Sequence, residues 1–222
     1  MEINDILYYI FKNKSYAQHG EDLLVKSYFE TKKNGFFVDI GAHHPFRFSN
    51  TYIFYKRKWR GINIDAKPGT KKLFDLFRPR DINLELGIAS SEGSLRYYMF
   101  NEPALNGFSQ DLSKLRDSDT DNGYHIIGTK DIPVFPLVKV LDDYLPANIE
   151  VDFLSVDVEG LDLDVLSSND WNKYRPKLVV AEDLDLRLDK LGDSSICTFL
   201  YSVNYELVGK TLNSLVFKDR LS

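Results

Sequence analysis

Two runs in this chain set carboxylates and a glycine directly behind an apolar stretch: Val38-Asp39-Ile40-Gly41-Ala42-His43-His44 and Val156-Asp157-Val158-Glu159-Gly160. Acids close two further apolar runs, Asp65 after Gly61-Ile62-Asn63-Ile64 and Glu182-Asp183 after Leu178-Val179-Val180-Ala181. In an open parallel sheet ligands bind outside the carboxyl ends of the strands, so acids recurring at those ends describe a site. Proton abstraction from a hydroxyl needs a placed base, and His43 and His44 follow the first bend directly with an ordinary pKa suited to neutral pH. His19 is a further candidate, and His125 lies in a polar stretch. Asp157 and Glu159 are the acidic candidates for the same catalytic work. Asp157, Glu182 and Asp183 together also offer three hard oxygen donors of the kind Mg²⁺ takes, which would acidify a chelated diol. The same acids have two other uses: binding acceptor hydroxyls, or, for Glu159 and Asp183, capping helices.

The elements that must position these residues read as strands alternating with helices. Phe36-Phe37-Val38-Asp39-Ile40 has apolar residues on both sides of a single acid, the mark of a strand buried on both faces. Ser49-Asn50-Thr51 offers capping side chains ahead of a helix from Tyr52 to Trp59. The spacing then predicts a strand over 61–66, a helix over 69–77 and a strand over 82–89. Ser90-Ser91-Glu92-Gly93 should turn that strand into a hairpin with 94–100. A strand is expected at 134–140, a short helix ahead of Pro146, strands at 151–158 and 178–183, and helices over 161–166 and 196–202. A closing hairpin is expected over 205–217. Residues 101–131 carry Gly107, Gly123 and Gly128 among polar residues, and read as an inserted loop or lid that shapes an acceptor site, or else as a surface insertion. A short helix over 3–11, a polar turn at 15–22 and a helix over 23–29 form an N-terminal cap within 1–34. The whole 222 residues suit one α/β domain with helices on both faces of a mostly parallel sheet.

Composition narrows the function classes. Hydrophobic residues make up 43% and aromatics 14%, enough for a substantial core. The formal charge is -5 and the basic residues are scattered, so no nucleic-acid footprint is evident. The single cysteine, Cys197, excludes an internal disulfide and sits in an apolar run as a small core residue. No uninterrupted apolar span suits a membrane helix or a secretory signal, which makes a cytoplasmic protein the expectation. Nothing in the residues sets an oligomeric state. No G-x-G-x-x-G follows the first strand, so a dinucleotide pyrophosphate has no cradle there.

Taken in order, Gln18-His19-Gly20-Glu21-Asp22, the run from Phe37 to Thr51, Gly61 to Ala66, Arg78-Pro79-Arg80-Asp81-Ile82-Asn83 and Phe153 to Trp171 resemble the FkbM family of class I methyltransferases. The resemblance spans about residues 15–183 and is weakest across the insertion. It implies a Rossmann-like fold with a seven-stranded sheet whose last strand is antiparallel. It implies S-adenosylmethionine (SAM) as methyl donor, and O-methylation of a sugar or sugar-nucleotide hydroxyl in polysaccharide or natural-product biosynthesis. Asp39, Gly41 and Ala42 would line the methionyl part of SAM. Asp65 would hold the ribose hydroxyls, as acids at this point do in nucleotide folds, and Asp81 would face the adenine. Gln18, Glu21 and Asp22 would close over the cofactor, with Asn50 of the second block beside it. A metal-dependent glycosyltransferase built on Asp157-Val158-Glu159 is the competing enzyme class, though it has no use for the Gly41-Ala42 bend. A non-catalytic binding module on the same fold is the third reading.

Overall fold

The computed structural model describes residues 14–184 and 187–221. Seven strands form the main sheet: β1 (Phe36–Ile40), β2 (Arg60–Asp65), β3 (Ile82–Glu85), β7 (Phe153–Val156), β8 (Leu178–Glu182), β9 (Tyr205–Lys210) and β10 (Ser214–Asp219). Their order is β3-β2-β1-β7-β8-β10-β9. β1, β2, β3, β7 and β8 run parallel, and β10 slots antiparallel between β8 and β9. The expected closing hairpin and the antiparallel last strand are both present.

Alternation along the strands sorts the core into two layers. Phe36, Val38 and Ile40 of β1 point to one face with Ile62, Ile64, Leu154 and Val156. That face is covered by α5 (Leu137–Tyr144), α6 (Asp162–Ser167) and α7 (Ser195–Ser202), whose Leu137, Val140, Leu141, Val165, Leu166, Ile196, Cys197 and Leu200 are buried. Phe37 and Phe153 point to the other face, under α1 (Glu21–Tyr28) and α2 (Tyr52–Lys56). There Phe54 packs 4.8 Å from Phe153 and 4.9 Å from Trp59, ring centre to ring centre. Each such ring stabilises the fold by about 1.5–3 kcal/mol through burial.

Asp39 points to the same side as Phe37 and is tied into a buried polar chain. Its carboxylate accepts from Thr51 Oγ1 at 2.6 Å, and Thr51 Oγ1 accepts from Arg78 Nη1 at 2.9 Å. The fully buried Arg78 ends α3 (Thr70–Phe77) and donates from Nε to Asp81 at 2.9 Å. Asp81 also accepts from the amide of Gly61 and from Asn63.

Four expectations are corrected. Residues 82–89 are not one strand: β3 stays in the main sheet, while β4 (Gly87–Ile88) joins a second sheet of order β4-β6-β5. β5 (Gly93–Phe100) pairs antiparallel with β6 (Ile126–Phe135), not with the strand before it. Local turn residues at 90–93 cannot reveal that a strand from beyond residue 125 comes between. Residues 134–140 are not one strand either, because β6 ends at Phe135 and Pro136 leads into α5. Leu137, Val140 and Leu141 are helix-spaced, and the apolar run hid that period. Residues 101–131 are built rather than loop-like, with a 3₁₀ turn at Pro103–Leu105 and α4 (Gln110–Ser118) capped by Ser109 Oγ on the Leu112 amide. The helix expected over 3–11 lies outside the described residues. Among them no helix is long and apolar enough to cross a membrane.

Removing the Arg78 charge leaves Asp81 buried without its cation. Arg78→Met is expected to destabilise the fold by about 3–5 kcal/mol, the cost of breaking a buried pair from one side. A shift in the urea midpoint worth less than about 1 kcal/mol would show that the chain is not held through this residue.

Candidate active site

A cleft lies at the carboxyl ends of β1, β2 and β7, where ligands of open parallel sheets bind. Ile40 and Gly41 form its floor, and Asp65, Ala66 and Lys67 one wall. Asp157, Val158 and Glu159 form the facing wall, and Leu86–Ile88 with Tyr97 and Phe108 an apolar end. Pro103, Ala104 and Asn106–Phe108 come from the 101–131 segment, which therefore covers this cleft.

Gly41 sits at φ +78°, and a Cβ there would lie 1.7 Å from the Asp157 carbonyl oxygen. Its glycine character thus lets the β1 and β7 turns meet, and its amide and that of Ala42 both donate to the Ile64 carbonyl. Ala42 is buried behind the turn. Asp65 lines the cleft and accepts the amides of His43 at 2.6 Å and Lys67 at 2.8 Å. A carboxylate has about four acceptor positions, so room for hydroxyl partners remains. Burial raises its carboxyl, and those two amides pull it back.

Of the non-glycine residues with left-handed backbone, three line the cleft: Phe48 at φ 54° and, in the β1 and β7 turns, the pair His43 at φ 53° and Glu159 at φ 58°. Each costs about 1–2 kcal/mol, and the pair stands on opposite walls of the cleft. His43 is half-buried with Nε2 unpartnered. Burial, helped by Lys67, Arg47 and His44, lowers its pKa to about 4, so it is neutral and a weak base at pH 7. Glu159 accepts from Arg116 of α4 at 2.6 Å, and a Cβ on Gly107 would lie 3.2 Å from its own Cβ. The 101–131 segment is therefore clamped onto the β7 turn.

Carboxylate oxygens of Asp157, Glu159 and Glu182 all lie within 4.8 Å of one another. Burial raises Asp157 well above the usual carboxylate range, and the charges of Glu159 and Asp162 add to it. Glu182 is pushed up to about 11 by burial and by Asp157 and Glu159. Asp162 accepts the amides of Val158 and Gly160, which fixes the turn, and burial brings it to about 7. The cluster also stands between two clefts. Asp157 lines the main one, and Glu182 lines a polar groove with Ser109, Asp162, Asp183 and Ser194. A small polar recess beside Asp157 and Glu182 is lined by Gln18, Glu21 and Asn50.

Several expected site residues stand elsewhere. Asp81 is at the opposite edge of the sheet, beside the start of β2, with its carboxylate engaged in the Arg78 chain. It is therefore not among the residues that line the cleft. Asp39 does not line the cleft, because its carboxylate faces Thr51. Asp22 holds the lead-in turn by accepting from Ser15 Oγ and the Tyr16 amide. His44 is also off the cleft, with Nδ1 accepting the amides of Phe46 and Arg47. Asp183 accepts from Ser194 at 2.6 Å, so Glu159 takes its place in the oxygen-donor set. Glu21 accepts from the His19 amide and Thr211 Oγ1, while Asn50 donates to Ser155 Oγ. Arg116, Asp162 and Phe108 were not singled out from the sequence. Ser109 ahead of Leu112 and Leu115 was the one available sign that Arg116 rides on a helix.

A parallel sheet with an antiparallel strand inserted next to its edge, and a cleft at the carboxyl ends of the central strands, define a Rossmann-like methyltransferase. The family model for the methyltransferase FkbM domain matches residues 39–207, well over half of the chain, and the protein belongs to that family. It is a methyltransferase, and the glycosyltransferase reading of Asp157-Val158-Glu159 falls away. The block Gln18–Asp22 lies outside the matched residues. No curated protein matches the chain.

The raised carboxyls set the pH dependence of stability. The native chain keeps a proton on Glu182 that the unfolded chain releases above about 4.5, so stability falls as pH rises toward about 11. His43 works oppositely, but only below its unfolded value of 6.5, since both states are neutral above it. Thermal midpoints of the protein without added ligand are expected to fall from pH 7 to 9, and Glu182→Gln to flatten the slope. An equal slope in the variant would remove Glu182 as its source.

Proposed function

We propose that the protein is a SAM-dependent O-methyltransferase acting on a hydroxyl of a sugar or sugar nucleotide, in polysaccharide or natural-product biosynthesis. The observation that carries this reading is the carboxylate cluster at the junction of the main cleft and the polar groove. A donor in one and an acceptor in the other would meet beside Asp157.

The residues present fit the cofactor. Asp65 keeps acceptor positions for ribose hydroxyls, Leu86–Ile88 and Phe108 offer an apolar slot for a base, and Glu21 in the adjoining recess offers a carboxylate to a cationic methionyl group. When bound, SAM supplies a methyl group already activated by a positive sulfur. The chain's part is then positioning, which can be worth roughly 7–11 kcal/mol, and proton removal, worth about 10²–10⁴-fold. Gly41 sets the distance between the walls, and Arg116 fixes Glu159 from above. Asp157, ionised once a cation shares the site, would hold the acceptor hydroxyl and accept its proton. His43 is too weak a base for this task and serves by donating its amide to Asp65. The groove's Asp183 and Ser194 side chains suit a polyhydroxyl acceptor, since hydroxyls pair with both acids and hydroxyls.

Titration calorimetry should give one SAM per chain, with Asp65→Ala weakening binding at least tenfold. Asp157→Asn should keep SAM affinity while release of S-adenosylhomocysteine, scored over a panel of sugar nucleotides, falls about a hundredfold or more. Absence of SAM binding would end the reading, and full turnover in Asp157→Asn would end the role given to that carboxylate.

A further inference from the structure

We propose that Asp157, Glu159 and Glu182 hold one hard divalent cation, of the Mg²⁺ or Mn²⁺ kind, at the junction between the main cleft and the polar groove. An oxygen from each lies within 4.8 Å of the others. Ions of this class take oxygens at about 2.0–2.2 Å, so one ion would hold the set after a small inward movement of the side chains. The stronger observation is Glu182 itself. It is only 7% exposed, and its Oε2 is buried with no hydrogen-bond partner. An unpartnered buried carboxylate oxygen is costly, and beside two more carboxylates it calls for a cation.

Protein cations do not meet that demand. Among the described residues the only ion pair to the cluster is Arg116 with Glu159 Oε2, at 2.6 Å. One guanidinium serves three carboxyl groups, so Asp157 and Glu182 have no cation of the protein beside them among the described residues. Arg116 also orients Glu159, engaging Oε2 and leaving Oε1 for the ion. The left-handed backbone of Glu159, fixed by Asp162 on the Val158 and Gly160 amides, turns this side chain toward Asp157 rather than solvent. Asp183, the adjacent acid in sequence, is excluded by its bond to Ser194. Waters and an acceptor diol reaching in from the groove would complete the shell, and chelation would ease loss of the hydroxyl proton. That last role rests on the methyl-transfer reading, whereas the site itself does not.

The test uses the full chain with Mn²⁺ alone, without cofactor or acceptor, reading the free-ion electron paramagnetic resonance signal. The expected result is one Mn²⁺ per chain with a dissociation constant below 1 mM, competed by Mg²⁺, and at least tenfold weaker binding in Glu182→Gln and in Glu159→Gln. Unchanged free-ion signal at 1 mM Mn²⁺ with wild-type protein would overturn the proposal, whatever the variants do. Binding that both variants retain in full would overturn it equally. Because neither SAM nor turnover enters the readout, failure here is distinct from failure of methyl transfer.

Discussion

The buried guanidinium of Arg78 is the constraint the rest of the architecture depends on. It joins the end of α3 to the cap of α2 through Thr51, and to the start of β3 through Asp81. Thr51 passes the link on to Asp39, one residue before the end of β1. Four elements that converge on one side of the sheet are therefore fixed by a single planar cation. Aromatic faces of Phe37, Tyr55 and Phe74 surround it at 5.1–5.5 Å, a setting an ammonium would fill poorly. Asp39 acts through this frame: it fixes the strand from which the Gly41 turn departs, with its carboxylate turned to Thr51 and away from the cleft.

From that frame the site follows as a problem of crowding. The β1 and β7 turns approach so closely that only a glycine fits at position 41. The next residues pay for the approach with left-handed backbone at His43 and Glu159. Acids at the ends of β7 and β8 then come together with too few donors, and burial, with mutual repulsion added, keeps protons on them. Such an arrangement stores a preference for positive charge, which a cationic donor or a metal ion can relieve. Among the described residues the 101–131 segment contributes the cluster's one ion-paired counter-charge, Arg116.

Much of this was legible in the sequence, and the limits have physical causes. Doubly buried strands such as 36–40 announce themselves by composition, and acids behind them mark the ligand edge. Strand ends therefore put Asp65, Asp157, Glu159 and Glu182 at the carboxyl edge of the sheet, where the cleft and the groove lie. What could not be read was side-chain direction. Asp39 and Ile40 are adjacent, yet the strand period turns one to Thr51 and the other to the cleft. Glu182 and Asp183 differ in the same way, one facing the cluster and the other Ser194. Asp81 was misplaced because motif order does not say which end of a strand a residue occupies. The β5–β6 ribbon was missed because its partners are held together by long-range pairing, and no local turn encodes that.

The antiparallel insertion of β10 bears on when the site can exist. Ser214 and Asn213 line the recess beside Glu182, and the Asp183 amide donates to the Asn213 carbonyl. Thr211, in the same turn, holds Glu21 from the opposite end of the described chain. The recess therefore closes only when segments 190 positions apart in sequence meet, so its shape belongs to the finished tertiary fold and to no local stretch of the chain.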